Sequence, residues 1–170
     1  MSAFPIFIDV SDRRPLIVGG TWLALAKARL ILQWAPAVTF ASLPSPEIAA
    51  LREAGRADVI AADVKLDDLA GRPLVIIATG VLEEDARIAH MARALGVNTN
   101  VPDRPDISNF SLGAIVSRKP VTVAIGTTGS APVLATQLRA KLEQDLHPRI
   151  GKLAEFASRH RARVAKTIPD

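Results

Sequence analysis

A glycine-rich turn in the stretch PLIVGGTWLALAKARLIL (Pro15 to Leu32) has the residue types of a nucleotide-binding turn. In the standard pattern Gly-x-Gly-x-x-Gly/Ala, the first glycine makes the turn, the second lets a diphosphate approach the backbone, and the third position allows close packing of helix on strand. Gly19 and Ala24 supply the first and third positions, whereas Thr21 replaces the second glycine. The residues alone leave two interpretations: a nucleotide site at a helix N-terminus, or an α/β turn whose glycines serve packing.

The acidic residue that usually holds the cofactor ribose is absent. The pattern expects Asp or Glu about 20 residues after the glycines, at the end of the second strand. The sequence there is TFASLP (39–44), in which Ser42 is the only short polar candidate, and no Arg is placed to prefer a 2′-phosphate. The choice between NAD and NADP therefore stays open at this point.

A second group of chemically capable residues lies in NTNVPDRPDISNF, where Asp103 follows a predicted strand. A carboxylate at the ligand edge of a sheet can act as a general base once its surroundings tune its affinity for protons. The alternative is structural, since Asp103 and Asp106 both neighbour prolines and fit ordinary turns.

The third group is the small polar loop IGTTGSAP, which precedes a helix predicted to open at Pro132. Its backbone amides and the hydroxyls of Thr127, Thr128 and Ser130 could bind an anion at the helix N-terminus. A helix cap explains the same residues equally well.

Alternating strands and helices must position these groups. Strands are predicted at PIFIDV (5–10), PLIVGG (15–20), AVTFAS (37–42), DVIAA (58–62), RPLVIIAT (72–79) and VNTNV (97–101), and helices at 22–34, 45–55 and 82–96. Two longer strands or a hairpin are predicted at 111–117 and 121–127, followed by amphipathic helices at 131–146 and 149–166.

The predicted fold class is α/β: a Rossmann-like parallel sheet with helices on both faces, followed by a small β-plus-helix module. We place a nucleotide-type domain at residues 1–110 and the appended module at 111–170. Ligands of such sheets bind at the carboxyl ends of the strands, where the strand order reverses.

Composition limits the remaining function classes. The 170 residues contain no Cys, which excludes disulfides and thiolate sites, and neither a signal peptide nor a membrane span is evident. A cytoplasmic protein is the simplest interpretation. Three separated histidines, at 90, 147 and 160, lack metal-ligand spacing, so no metal site is predicted.

The net charge of +4 is concentrated near the C-terminus. Residues 139–166 hold eight Lys or Arg against three acids, a balance of +5, which leaves −1 for the rest. This segment is either a solvated helical face or an attractor of an anionic ligand. No aromatic stacking platform or basic helix-turn-helix supports nucleic-acid binding.

Taken together, the motifs resemble those of the precorrin-2 dehydrogenase/sirohydrochlorin ferrochelatase family, the N-terminal module of siroheme synthase. The resemblance covers residues 4 to 166 and rests on several ordered stretches: FPIFIDVSDRRPLIVGG, like PxFxxLxxRxxLVVGGG; AxxKARLIL; NVPDRPDISNF, like NVVDxPxxxxF; and VTVAIGTTGSAPVLATQLRAKLE, like VxVAISTxGxSPxLAxxLRxxLE.

The resemblance implies NAD-dependent oxidation of precorrin-2 to sirohydrochlorin by a homodimer, joined through the second module; many members also insert ferrous iron. Asp103 falls on the family's catalytic aspartate. Cofactor contacts are expected at Gly19, Gly20, Thr21, Trp22, Leu23, Ser42, Leu43, Pro44, Thr79 and Asn100, and substrate contacts at Thr127, Thr128 and Ser130. The tetrapyrrole's carboxylates would give the basic C-terminal segment a purpose.

Several positions depart from the family pattern. Thr21 stands in place of a glycine, Gly113 in place of a proline, and Gly126, Thr128 and Ala131 in place of Ser, Gly and Ser. A non-catalytic tetrapyrrole- or nucleotide-binding module is the alternative that these departures raise. The sequence ends at Asp170 without the methyltransferase domain of the long siroheme synthases, as expected of a stand-alone member or an excised module.

Overall fold

The computed structural model describes residues 3 to 167, with side chains as far as residue 161. The chain divides into two compact units, one holding Ala3–Ser111 and the other beginning at Leu112.

The elements of the first unit, in chain order, are β1 (Leu16–Val18), α1 (Trp22–Ile31), β2 (Val38–Ala41), α2 (Pro46–Glu53), β3 (Ala57–Ile60), α3 (Leu66–Leu69), β4 (Val75–Ile77), α4 (Leu82–Ala94) and β5 (Thr99–Asn100). Those of the second unit are β6 (Ala114–Arg118), β7 (Val121–Ile125), α5 (Pro132–Asp145) and α6 (Ile150–Thr167).

The first unit is built on a five-stranded sheet in the order β3-β2-β1-β4-β5, and every neighbouring pair is parallel. The chain runs outward from β1 through β2 to β3, then returns to the other side of β1 to form β4 and β5. The strand order therefore reverses between β1 and β4, which is where sheets of this kind form a ligand crevice. The predicted Rossmann-like fold class is confirmed.

The core lies on both faces of the central strands. Every residue of β1, β2 and β4 is buried, as expected of a parallel sheet covered by helices on each side. Large side chains such as Phe40, Ile17 and Ile76 are fully buried. Each of them stabilises the fold by about 1.5–3 kcal/mol relative to an exposed position.

Local sequence signals set the helix boundaries near the site. The Ser45 hydroxyl caps α2 by accepting from the Ile48 amide at 3.2 Å, and Pro46 occupies the first helical position, as predicted. Helix α1 was predicted to reach Trp34 but ends at Ile31 and continues only as turns. Pro36 has no amide hydrogen to donate to Leu32 and disfavours helical backbone at Ala35, so the helix cannot continue through this segment.

One prediction of local structure is wrong, and one element was not predicted. Residues 5–10 form no strand, and Phe4, Ile6 and Phe7 are exposed, because the segment pairs with no strand in the described part of the chain. The one-turn helix α3 was missed, since four residues are too few to show a helical period.

In the second unit, β6 and β7 form an antiparallel hairpin in which Ala114 pairs with Ile125 and Arg118 with Val121. The Arg118 guanidinium donates to the carbonyls of Glu143 at 2.9 Å and Leu146 at 3.2 Å, and so satisfies the C-terminus of α5. Within residues 3–167, no helix has the length and apolar character needed to cross a membrane.

Candidate functional site

The glycine turn lies at the crevice between the ends of β1 and β4. Gly19 has a φ of +104°, and a Cβ at this position would overlap the carbonyl oxygen of Ala78. Only glycine adopts this φ readily and has no Cβ to overlap the carbonyl. A Cβ on Gly20 would instead meet Ser42 at 3.7 Å, an ordinary contact. The first glycine is therefore required by the close approach of the two strand ends.

Thr21 fits the turn without backbone strain, because its φ of −67° and ψ of 162° are open to any L-residue. Its hydroxyl accepts from the Ala24 amide at 3.2 Å and donates to the Ala78 carbonyl at 2.9 Å. The threonine therefore caps α1 and ties it to the end of β4. Because its proton is donated to Ala78, the hydroxyl is not available to donate to a phosphate oxygen.

The N-terminus of α1 keeps the features of an anion site. Trp22 and Leu23 occupy the first two helical positions, whose amides have no acceptor within the helix. These amides and the helix dipole favour a negatively charged group. Trp22 is 78% exposed, and the buried face of α1 is formed by Ala24, Leu25, Ala28 and Ile31.

The segment after β2 offers apolar contact rather than hydrogen bonds. The buried Ser42 hydroxyl donates to the Leu43 carbonyl at 3.0 Å, whereas Leu43 and Pro44 are exposed. Beside them lies a cavity of about 360 Å³ lined by Pro44, Ser45, Ile48, Ala49, Arg52, Glu53 and Val59. The Ser42 hydroxyl is thus used in a bond to the neighbouring backbone, and the exposed surface of this segment is formed by Leu43 and Pro44.

The loop after β4 is fixed by a buried acid. Thr79 donates to Oδ1 of Asp85 through its amide at 3.0 Å and through its hydroxyl at 2.6 Å. The same hydroxyl accepts from the Val81 amide at 3.1 Å. Sequence reasoning missed Asp85, because the acids of LEED are typical of any helix N-terminus; the only signal was a threonine six residues earlier.

Asp103 lies in a loop that folds back on β5. Its φ is +62°, a left-handed conformation that few non-glycine residues adopt. The Ser108 hydroxyl accepts from the Val101 amide at 2.9 Å, and the Asn109 carboxamide accepts from the Thr99 amide at 2.7 Å. These bonds hold both ends of the loop, and the exposed Asp103 side chain lies between them in sequence.

Two neighbours of Asp103 have their own partners. The Asn100 amide nitrogen donates to the Phe110 carbonyl at 3.0 Å, which leaves its oxygen for a ligand. Arg104 and Asp106 form a two-pronged ion pair at 2.9 and 2.7 Å. Hydrogen bonding to Arg104 lowers the pKa of the Asp106 carboxyl, and the same contact raises the pKa of Arg104. Asp106 is therefore held as a carboxylate, while Asp103 stays accessible.

The polar loop of the second unit is hydrogen-bonded to itself. The hydroxyls of Thr128 and Ser130 both donate to the Thr127 carbonyl, at 2.7 and 2.6 Å. Thr128 has a φ of +51° and Gly129 of +80°. At Gly113, a Cβ would come within 2.6 Å of the Ile125 carbonyl oxygen, so this departure from the family pattern meets a steric need.

The sheet brings most of the predicted site residues to one edge. Because all five strands are parallel, the carboxyl ends of β1, β2, β4 and β5 lie on the same side. This edge carries Gly19, Gly20, Thr21, Trp22, Leu23, Ser42, Leu43, Pro44, Thr79, Asn100 and Asp103. Thr127, Thr128 and Ser130 belong to the second unit. Among the residues that the structure describes, no three His, Asp or Glu side chains are grouped to hold a metal ion.

A family model described as "Putative NAD(P)-binding" matches residues 6–114. The chain belongs to this NAD(P)-binding family. Its match begins before β1 and ends at the start of β6, so it contains the whole parallel sheet and the loop of Asp103.

Longer relatives of this NAD(P)-binding chain extend the likeness through the second unit. Siroheme synthase 1 of Aeromonas salmonicida is 41% identical over 165 residues, covering 96% of this chain and 35% of that protein. The siroheme synthase of Methylococcus capsulatus is 38% identical over 171 residues, covering 100% of this chain and 36% of that protein. The chain thus spans about a third of the length of these relatives, and the resemblance to the siroheme synthase module is confirmed.

A solved structure shares the fold. It is titled "SirC, precorrin-2 dehydrogenase", and superimposes with a TM-score of 0.77 at 22% identity, covering 94% of this chain and 79% of that one. At this identity the likeness shows the fold, in which a Rossmann-like sheet is followed by a smaller unit.

Proposed function

We propose that the chain oxidises precorrin-2 to sirohydrochlorin with NAD as the hydride acceptor, a step of siroheme biosynthesis. The observation that carries the proposal is the presence, at one edge of one sheet, of a nucleotide turn and of an exposed carboxylate at Asp103. The siroheme synthase relatives and the precorrin-2 dehydrogenase with the same fold support this substrate over others.

The residues of the turn fit a dinucleotide. Gly19 makes a cradle that a Cβ would fill, and the amides of Trp22 and Leu23 suit a diphosphate. Leu43 and Pro44 offer apolar contact to the adenosine half, and Asn100 offers its side-chain oxygen at β5. Thr79, whose amide and hydroxyl are bonded to Asp85, is a proposed contact at the end of β4. When bound, NAD supplies the oxidising group that takes a hydride from the tetrapyrrole. With no acid after β2 to hold the ribose hydroxyls, the preference for NAD over NADP rests on the family resemblance.

Asp103 is proposed as the base. Oxidation of precorrin-2 removes two electrons and two protons: a hydride passes to NAD, and one proton must leave for a base or for water. An exposed carboxylate held in a fixed loop can accept that proton. The left-handed backbone of Asp103 is a form of strain that is common at functional positions.

We extend the proposal to ferrous iron and to a homodimer. Iron insertion displaces two pyrrole protons, which the same carboxylate can accept one at a time and pass to water, and the relatives are named for siroheme, the iron-containing product. A dimer joined through the second unit is supported by the exposed apolar side chains of its helices: Val133, Leu134, Leu138, Leu153 and Phe156. Thr127, Thr128 and Ser130 are proposed to contact the substrate's carboxylates.

The test is anaerobic turnover of precorrin-2 with NAD, followed by the absorbance of NADH. Asp103→Asn keeps the size and tolerates the left-handed backbone but cannot take a proton, so we expect the rate to fall about 10²–10⁴-fold. Asp106→Asn, three residues away, is the matched control and should keep most of the activity. Sirohydrochlorin binding by a wild type that forms no NADH would favour the non-catalytic binding module instead.

A further inference from the structure

Asp85 is a buried carboxylate that the proposed reaction does not use. It lies in the first turns of α4 and is only 6% exposed. Acidic side chains are seldom buried unless they are well bonded, because removal from water disfavours their charged form. Its position therefore calls for a specific set of partners.

Both hydrogen bonds to the Asp85 carboxylate come from Thr79, and its charge also attracts the Arg104 guanidinium. Oδ1 accepts from the Thr79 hydroxyl at 2.6 Å and from the Thr79 amide at 3.0 Å. Both distances lie in the normal range for hydrogen bonds, so one acceptor oxygen holds two donors of the same residue. The Thr79 hydroxyl in turn accepts from the Val81 amide, so the carboxylate fixes the backbone from residue 79 to 81.

The same loop touches the glycine turn across the crevice. Ala78, directly before Thr79, accepts the hydroxyl proton of Thr21 at 2.9 Å. A Cβ on Gly80, directly after it, would lie 3.5 Å from the methyl carbon of Thr21. A continuous path of bonded groups therefore runs from Asp85 in α4 to the cap of α1.

We propose that Asp85 is a positioning residue of the nucleotide site. It acts through Thr79, holding the loop after β4 against Thr21, so that both walls of the crevice are fixed before a dinucleotide binds. This role rests on the proposed use of NAD. It needs the carboxylate as a hydrogen-bond acceptor, and its negative charge is secondary.

Three variants separate these contributions. Asp85→Ala removes the acceptor, Asp85→Asn keeps an acceptor oxygen without the charge, and Glu83→Ala removes an exposed acid from the same helical turn. Calorimetric titration with NAD should show binding about tenfold weaker for Asp85→Ala, since a factor of ten corresponds to about 1.4 kcal/mol, within the range for one hydrogen bond inside a protein. Asp85→Asn and Glu83→Ala should stay within about threefold of wild type.

Hydrogen exchange gives a readout that is independent of NAD. In the wild type the Thr79 and Val81 amides should exchange slowly although they lie in a loop, and in Asp85→Ala they should exchange faster than in Asp85→Asn. Fast exchange in the wild type overturns the proposal even if Asp85→Ala fails to fold.

The binding outcomes separate the two proposals. If the wild type binds NAD and Asp85→Ala binds it equally well, the role of Asp85 is wrong while the proposed function stands. Equal weakening by Asp85→Asn would show that the charge matters and would also overturn it. If the wild type binds no NAD, both proposals fail.

Discussion

At the scale of single residues, Thr21 shows how a departure from a motif can be accommodated. A glycine at this position lets a diphosphate approach the backbone. Here the threonine backbone is unstrained, and its side chain is bonded to Ala24 and Ala78. Compared with glycine, Thr21 therefore fills space that a diphosphate could use. In return it caps α1 and links this helix to the end of β4.

Replacing Thr21 by valine should therefore destabilise the protein. Valine keeps the shape but removes the cap and the bond to Ala78, so we expect the free energy of unfolding in urea to fall by about 1–2 kcal/mol. Thr21→Ser keeps the hydroxyl and should stay close to wild type. A Thr21→Val protein as stable as Thr21→Ser would show that these two hydrogen bonds contribute nothing.

The structural roles of some single residues could be predicted from the sequence, and those of others could not. The requirement for glycine at 19 could be predicted, because the spacing from strand to helix is itself the signal. Asp85 could not, since its role depends on a contact between two loops that no local pattern records. The left-handed backbone of Asp103 was likewise invisible, because Asp fits ordinary turns equally well.

At the scale of elements, helix caps and hydrophobic patterns were enough to locate most helices and strands. Helix α2 was recoverable because Ser45 and Pro46 mark its start, and β4 because an unbroken apolar run indicates a strand buried on both faces. The segment PIFIDV has an equally good strand pattern, yet it is unpaired in the described chain. A strand needs a neighbour, and pattern alone does not supply one.

The exposed leucines of α5 lead to a prediction about dimerisation. Leu134 and Leu138 lie one turn apart on α5, and both are exposed, which is unusual for leucines on a helix of a monomer. We expect the wild type to sediment as a dimer and Leu138→Glu to weaken dimerisation at least about tenfold, because a charge would be buried at the interface.

The neighbouring Gln137→Glu adds the same charge at another exposed position of α5 and serves as its control. A wild type that sediments as a monomer would remove the proposed role of this helix in dimerisation.

At the scale of the whole molecule, positive charge is concentrated in the second unit. The net charge of +4 arises from residues 139–166, which belong to the second unit, while the remaining residues carry −1. By itself, the positive charge of this unit would attract the substrate proposed above, which has many carboxylates. The longer siroheme synthases share both units with this chain, which spans about a third of their length.

The measurement that bears most directly on this account is calorimetric titration of the wild type with NAD. The α1 N-terminus, the glycine at 19 and the bonded Thr21 predict saturable binding at one site per chain, with the same cofactor stabilising the protein against heat. Absence of saturable binding would contradict the account, because it would mean that the threonine has closed the site to the diphosphate.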